Sequence, residues 1–247
     1  MKLALAALGL ATLVCAPAPA KAEEVDLEVV LAADVSRSID DEEFDLQRKG
    51  YAAALNDPRV LEAIRNRPNH AIAVCFVEWS GPDEQQVVVD WTEIRDPEDA
   101  GGFGEAVLKP ARAFMGRTSI SAAIDFATGY FAKASWHAER RVIDISGDGN
   151  NNSGRGITEA RDAAIGQGIT INGLAIINDK PNLGYSSHTH PPGGLPAYYQ
   201  DNVIGGRDAF LMVVKDFNSF ADAMAKKLAK EIDISTRGRD GQVALLR

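Results

Sequence analysis

In the stretch LAADVSRSID, residues 31–40, an apolar run ends on an aspartate and two alternating serines, Asp34, Ser36 and Ser38. A strand that only has to stop can do so on one glycine or proline. Alternate residues of an extended segment project to the same side, so these side chains can converge on one point. Two later segments carry the same chemistry: Thr118 in GRTSI and Asp148 in SGDG. Together they supply two carboxylates and three hydroxyls, with neither sulfur nor nitrogen among them. Oxygen donors of this kind suit a hard cation, Mg2+ first with Mn2+ or Ca2+ as alternatives, and disfavour zinc. Two acids leave such an ion incompletely neutralised. It would keep waters or an open position and accept a carboxylate from outside.

Each piece alone has an ordinary reading. Ser38 is a serviceable N-cap for a helix beginning near Asp40, and Asp34 suits a turn. Thr118 could cap the helix that follows it, and Asp148 between two glycines suits a turn. The metal reading gains from their joint order on a strand–helix pattern that brings all three segments to one edge.

That pattern is as follows. LEVVLAA (27–33) reads as a strand buried on both faces. DDEEFDLQRKGYAAAL follows as a helix, with acids in its first turn. HAIAVCFVEWS (70–80) and QQVVVDWTEI (85–94), joined by GPDE, predict an antiparallel hairpin. A weaker helix interrupted by Gly101, Gly102 and Gly104 comes next, then a helix over TSISAAIDFATGYFAKA. RRVIDIS, ITINGLAII and AFLMVV (209–214) are further strands, with helices over ITEARDAAI and FNSFADAMAKKLAKEI. Residues 178–206 read as a long loop or lid with one helical turn around LPAYYQDN. The expected fold is α/β: a doubly wound, mostly parallel sheet with one antiparallel edge strand and helices on both faces. Such sheets place ligands outside the carboxyl ends of their strands, where the three segments lie.

D-x-S-x-S after the first strand, a threonine in a G-x-T-S loop and an aspartate in a later D-G resemble the metal-ion-dependent adhesion site of von Willebrand factor type A (vWA) domains. The resemblance runs from about Val25 to Ile232. It implies a Rossmann-like fold, with Ser36, Ser38 and Thr118 as hydroxyl ligands, direct or through water, and Asp34 and Asp148 acting mainly through bound waters. YYQDNVIGG resembles a vWA-like group of exported bacterial proteins with no assigned function. Four features depart from the vWA pattern, one of them the loop 178–206, which is longer than usual at that point and could shape a binding face. Arg37 stands where many relatives have glycine, Gly147 replaces the usual threonine before Asp148, and Asn150, Asn151 and Asn152 add amides at the rim.

The N-terminus has the layout of a secretory signal: Lys2, an apolar stretch from Leu3 to Val14, and Ala20-Lys21-Ala22. Residues 1–22 are expected to be cleaved, residues 23–235 to form one vWA-like domain, and residues 236–247 to form a flexible tail. The destination is outside the cytoplasm, the periplasm first and the extracellular space as the alternative, with no membrane-spanning segment in the mature chain. The formal charge of −9 and the lack of a basic cluster exclude a nucleic-acid footprint. Cys15 leaves with the leader, so Cys75 in AIAVCFVEW has no internal disulfide partner and reads as a core thiol. His188 and His190 in SSHTHPPGG read as an ordinary polar loop, and Trp79, Trp91 and Trp136 as packing.

The function these readings favour is an exported binding module whose divalent cation engages Asp or Glu on a protein partner. A metal-dependent hydrolase is the enzyme alternative, but the chain has no G-x-S-x-G elbow, H-E-x-x-H or P-loop. An envelope scaffold with a purely structural metal is the third reading.

Overall fold

The computed structural model describes residues 23–177 and 186–234. The expected leader, the tail from residue 236 and residues 178–185 of the long loop lie outside the described residues. In chain order the elements are β1 (Glu23–Glu24), β2 (Leu27–Asp34), α1 (Asp41–Leu55), α2 (Pro58–Arg65), β3 (Ile72–Trp79) and β4 (Gln85–Ile94). Then come α3 (Pro97–Leu108), α4 (Ile120–Tyr130), β5 (Trp136–His137), β6 (Arg141–Gly147) and α5 (Ile157–Ile165). The chain continues with β7 (Ile169–Ile176), α6 (Ser186–Thr189), α7 (Leu195–Tyr198), β8 (Leu211–Val214) and α8 (Phe220–Ile234).

Six strands form one sheet in the order β4-β3-β2-β6-β7-β8, while β1 and β5 pair separately at the side. Every neighbour in the large sheet is parallel except β3 with β4. The hairpin turns where Ser80 N–H donates to the Glu84 carbonyl at 2.9 Å. The fold is therefore the α/β sheet with an antiparallel edge that the sequence pattern predicts.

Alternation along β2 divides the core. Leu27, Val29, Leu31 and Ala33 face the layer of α1, α2, α3 and α8, where Tyr51, Ile64, Phe103 and Phe220 are buried. Val30 and Ala32 face α4 and α5, packing with Ile120, Ile124 and Ala160. Burial on both faces explains why β2 runs apolar from Val29 to Ala33, between Glu28 near its start and Asp34 at its end. Cys75 is buried in the second layer, and burial pushes its thiol up. Trp79 is fully buried, while Trp91 packs on Tyr130 and Phe131.

Two elements depart from the pattern read in the sequence. Helix α2 lies between α1 and β3, where no helix is predicted; Asp57 caps it and Pro58 occupies its first turn. Helix α3 runs unbroken through Gly101, Gly102 and Gly104, because burial of Ala100, Phe103 and Val107 outweighs the glycine cost of roughly 1 kcal/mol each.

A buried charge cluster ties α8 to the sheet. Lys227 Nζ lies 2.6 Å from Asp144 Oδ1 and 2.5 Å from Glu231 Oε1, all three residues fully buried. Asn172 on β7 donates to Glu231 at 2.8 Å. Burial works against the ammonium, yet the two carboxylates together hold its pKa up. Removing the Lys227 ammonium would strand two buried acids. Lys227→Met is expected to cost about 3–5 kcal/mol, read as a lowered midpoint in urea denaturation.

Candidate functional site

The strand order fixes where a ligand can sit. From β2 the chain crosses to β3 on one side, whereas from β6 it crosses to β7 on the other. The crevice between β2 and β6 is thus the topological switch point, where the outgoing loops part. Asp34 is the last residue of β2, and Asp148 follows the last residue of β6. Two acids meet there because each ends one of the two strands that flank the crevice.

The five residues singled out by the sequence come together and are all buried: Asp34, Ser36, Ser38, Thr118 and Asp148. Ser38 Oγ donates to Asp148 Oδ1 at 2.6 Å, and Ser36 Oγ is 3.2 Å from Ser38 Oγ. Thr118 Oγ1 donates to Ser36 Oγ at 3.0 Å. Asp34 Oδ1 accepts the Ser36 N–H at 2.7 Å. The ordinary local roles fall to their neighbours. Asp40, not Ser38, caps α1 in a capping box with Glu43, and Ser119, not Thr118, caps α4. The capping expectation for Ser38 and Thr118 is corrected by one residue or two, which leaves both hydroxyls for the crevice.

The loops are braced from behind. Arg112 Nη2 lies 2.8–2.9 Å from the carbonyl oxygens of Val35, Ser36 and Ile39, so the backbone of the serine loop is held by its carbonyls. Arg112 belongs to the segment that also carries Thr118. Arg48 pairs with Glu78 at 2.6 Å, and Glu78 accepts the Ala113 N–H at 3.2 Å. Ser119 N–H donates to the Ser80 carbonyl at 2.7 Å. On the other side Asn152 Oδ1 accepts the Thr118 N–H at 3.0 Å, and the Thr118 carbonyl accepts the Asn152 N–H at 2.9 Å.

Two acids face each other in the crevice, and the Arg112 guanidinium is a cation that acts on Asp34. Asp34 is fully buried, and its Oδ2 has no hydrogen-bond partner among the described residues. Burial, reinforced by the neighbouring Asp148, pushes its carboxyl up to about 8. A buried acid with an unpartnered oxygen, beside a second acid and an arc of hydroxyls, fits a divalent cation in charge and in donor type. Among the described residues no three His, Cys, Asp or Glu side chains gather closely enough to hold an ion by themselves. Any coordination at the crevice would therefore draw on the hydroxyls as well as the two acids.

Gly147 leaves no room for the threonine that the resemblance leads one to expect. A Cβ at this position would stand 2.8 Å from the Tyr199 hydroxyl and 2.9 Å from Asp34 Oδ2. Tyr199, from the helical turn after α7, is fully buried, and its hydroxyl likewise has no partner among the described residues. The phenol fills the space that a side chain at residue 147 would take.

His188 is the site residue that sequence reasoning missed. It is the imidazole of α6, and its Nε2 lies 2.9 Å from Thr118 Oγ1. Burial, with Arg117 and Arg37 nearby, lowers its pKa to about 4, so it is neutral at pH 7. His190 is turned instead towards Thr189, with Nδ1 2.9 Å from its Oγ1. Arg37, Ser38, Arg117, Thr118, Asn152 and His188 line a cleft of about 220 Å³ over the site. Arg37 and Arg117 are exposed at its mouth.

Comparison with known proteins agrees with this architecture. Residues 24–236 match the family described as "Protein of unknown function (DUF1194)". The chain belongs to the DUF1194 family. Solved structures with the same vWA-like fold include proximal thread matrix protein 1 from the mussel byssus, at 13% identity and a TM-score of 0.59. That match covers 85% of this chain and 47% of the mussel chain. A von Willebrand factor type A protein from Catenulispora acidiphila matches at 16% identity and a TM-score of 0.56, over 85% of this chain and 43% of that one. BatB from Bacteroides thetaiotaomicron matches at 21% identity and a TM-score of 0.51, over 83% of this chain and 99% of BatB. The DUF1194 chain thus spans less than half the length of the first two and nearly all of BatB. At these identities the likeness is one of fold.

The packing at residue 147 can be tested directly. Gly147→Ala is expected to destabilise by about 1–3 kcal/mol through overpacking. Tyr199→Phe, close to neutral alone because the lost hydroxyl has no hydrogen-bond partner among the described residues, should recover part of that loss. A double-mutant cycle by chemical denaturation reads the coupling.

Proposed function

We propose that this DUF1194 protein is an exported binding module in which a divalent cation at the carboxyl-end face of the sheet engages an acidic group of a protein partner. The observation that carries the reading is Asp34 Oδ2, buried and unpartnered among the described residues, beside the hydroxyls of Ser36, Ser38 and Thr118. Ser36, Ser38 and Thr118 would hold the ion directly, with Asp34 and Asp148 neutralising it from behind. The ion would supply a positive centre with an open position. On oxygen donors alone that ion is Mg2+, with Mn2+ or Ca2+ as the alternatives.

Three further observations support this reading. Arg37 and Arg117 at the mouth of the cleft add positive charge where an acidic partner would approach. A further structure of the mussel protein, at 12% identity and a TM-score of 0.54, has a zinc-occupied metal-ion-dependent adhesion site motif. A pilus adhesin, SpaC from Lactobacillus rhamnosus GG, shares the fold at a TM-score of 0.57. An envelope location, the periplasm in particular, accords with the N-terminal leader pattern and with the likeness to an aerotolerance-related membrane protein from Bacteroides fragilis. Among the described residues no helix is long and apolar enough to cross a membrane.

The expected outcome is cation-dependent stability and cation-dependent binding. Saturating cation at about a hundred times its Kd should stabilise the protein by about 2.7 kcal/mol, read as a raised melting temperature that EDTA reverses. Asp34→Asn should fold and melt without responding to cation. A partner from envelope extract should be retained with Mg2+ or Mn2+ and released by EDTA, and the double variant Asp34→Ala/Ser36→Ala should retain none. Retention in EDTA, or by that variant, would sink the proposal.

A further inference from the structure

Helix α6 places His188 against the crevice. The contacts form a single arc. Ser38 Oγ is 3.2 Å from Ser36 Oγ, Ser36 Oγ is 3.0 Å from Thr118 Oγ1, and Thr118 Oγ1 is 2.9 Å from His188 Nε2. Ligands held about 2.1 Å from an ion in octahedral array stand about 3 Å from their nearest neighbours. Each step of the arc has that spacing, and the imidazole nitrogen continues the line of hydroxyl oxygens.

The ring is fixed in the orientation a ligand needs. Asn150 Oδ1 lies 2.6 Å from His188 Nδ1, and Asn152 Nδ2 lies 3.1 Å from the same nitrogen. With the proton on Nδ1 the ring donates to Asn150 Oδ1 and the Nε2 lone pair faces Thr118, the tautomer that a metal ligand requires. An oxygen acceptor behind the imidazole is how proteins orient histidine ligands. The backbone adds a further tie, because Asn150 N–H donates to the His188 carbonyl at 3.2 Å. Room for the ring comes from Gly149. A Cβ there would fall 2.1 Å from Nε2, so the ring occupies the side-chain space of the residue after Asp148.

We propose that His188 is a nitrogen ligand of the cation held by Ser36, Ser38 and Thr118, so that the site prefers Mn2+, Co2+ or Zn2+ over Mg2+ and Ca2+. The proposal rests on the cation reading above and changes its metal. A site of hydroxyl and carboxylate oxygens favours hard ions, and one imidazole among them shifts the preference towards transition metals. Asn150 and Asn152 then become positioning residues, which gives the asparagine run at the rim a role.

The test uses metal alone on the whole exported chain. Pulsed electron paramagnetic resonance of the Mn2+-loaded protein is expected to show a directly bound nitrogen, and His188→Gln should lose that coupling. By calorimetry, His188→Gln should weaken Zn2+ binding by about tenfold or more while leaving Mg2+ binding within about threefold. Asn150→Ala, which keeps the ligand but removes its support, should weaken Zn2+ binding by about 10- to 100-fold. His188 sits at the rim, and unchanged melting temperatures of the metal-free variants would establish that the fold is intact. Mn2+ bound without nitrogen coupling, together with equal Zn2+ affinity in His188→Gln, overturns the assignment of His188 and leaves the cation site standing. Failure of the wild-type chain to bind Mn2+, Zn2+ or Mg2+ overturns both.

Discussion

Two carboxylates buried at the ends of adjacent parallel strands set the terms for everything around them. Asp34 and Asp148 close β2 and β6, and burial together with mutual repulsion drives Asp34 towards its neutral form. An isolated buried carboxylate costs several kcal/mol unless it is paired or hydrogen-bonded. The chain answers only in part, with one amide on Asp34 and one hydroxyl on Asp148 in the contacts described above. By contrast, the acids Asp144 and Glu231 deeper in the same sheet are given Lys227. The Asp34–Asp148 pair has no ammonium of that kind in the contacts described above, and under the proposed function a cation from outside the chain would take that part.

The same constraint explains the construction of the loops. Hydroxyls can line a cation only if the backbone that carries them is held from another direction. Arg112 does this by binding three carbonyls of the serine loop, and Asn152 does it by exchanging backbone and side-chain hydrogen bonds with Thr118. Each brace ties one site segment to another, so the serine loop, the threonine loop and the Asp148 loop form one unit. Loops braced in this way would spare an incoming ion the entropy of gathering its ligands.

How much of this the sequence discloses depends on the distance over which each signal acts. Asp34, Ser36 and Ser38 are legible because a period of two on a strand end is local, and Thr118 and Asp148 because their strand–loop–helix settings are local too. The sheet with its antiparallel edge follows from the same short-range patterns. Helix α2 carried its own signals in Asp57 and Pro58, but its eight residues are short enough to pass for a connection. The capping roles of Asp40 and Ser119 differ from Ser38 and Thr118 by a residue or two, a shift that only backbone geometry decides. His188 could not be found by spacing, since its partners Thr118 and Asn150 lie 70 and 38 residues away. H-x-H points to His190 as a companion, yet the chain turns that ring elsewhere. Gly147 reads as a hydroxyl lost from the site, and only the packing of Tyr199 shows why no side chain fits.

The geometry of His188 also bears on the choice between binding and hydrolysis. A hydrolase built on this crevice would want a general base near an activated water, with a pKa close to the working pH. His188 is the imidazole that the described residues bring into contact with the hydroxyl arc; its Nδ1 is held by the asparagines, and as a ligand its Nε2 would be taken up by the ion. Its pKa of about 4 makes it a weak base at neutral pH. The two guanidiniums lining the cleft are permanently charged and serve to attract anions, not to accept protons. Long-range attraction of that kind, screened beyond about 8 Å at physiological salt, speeds encounter more than it strengthens the complex. On this division of labour Arg37 and Arg117 would draw an acidic partner in, and the ion beneath them would decide whether it stays.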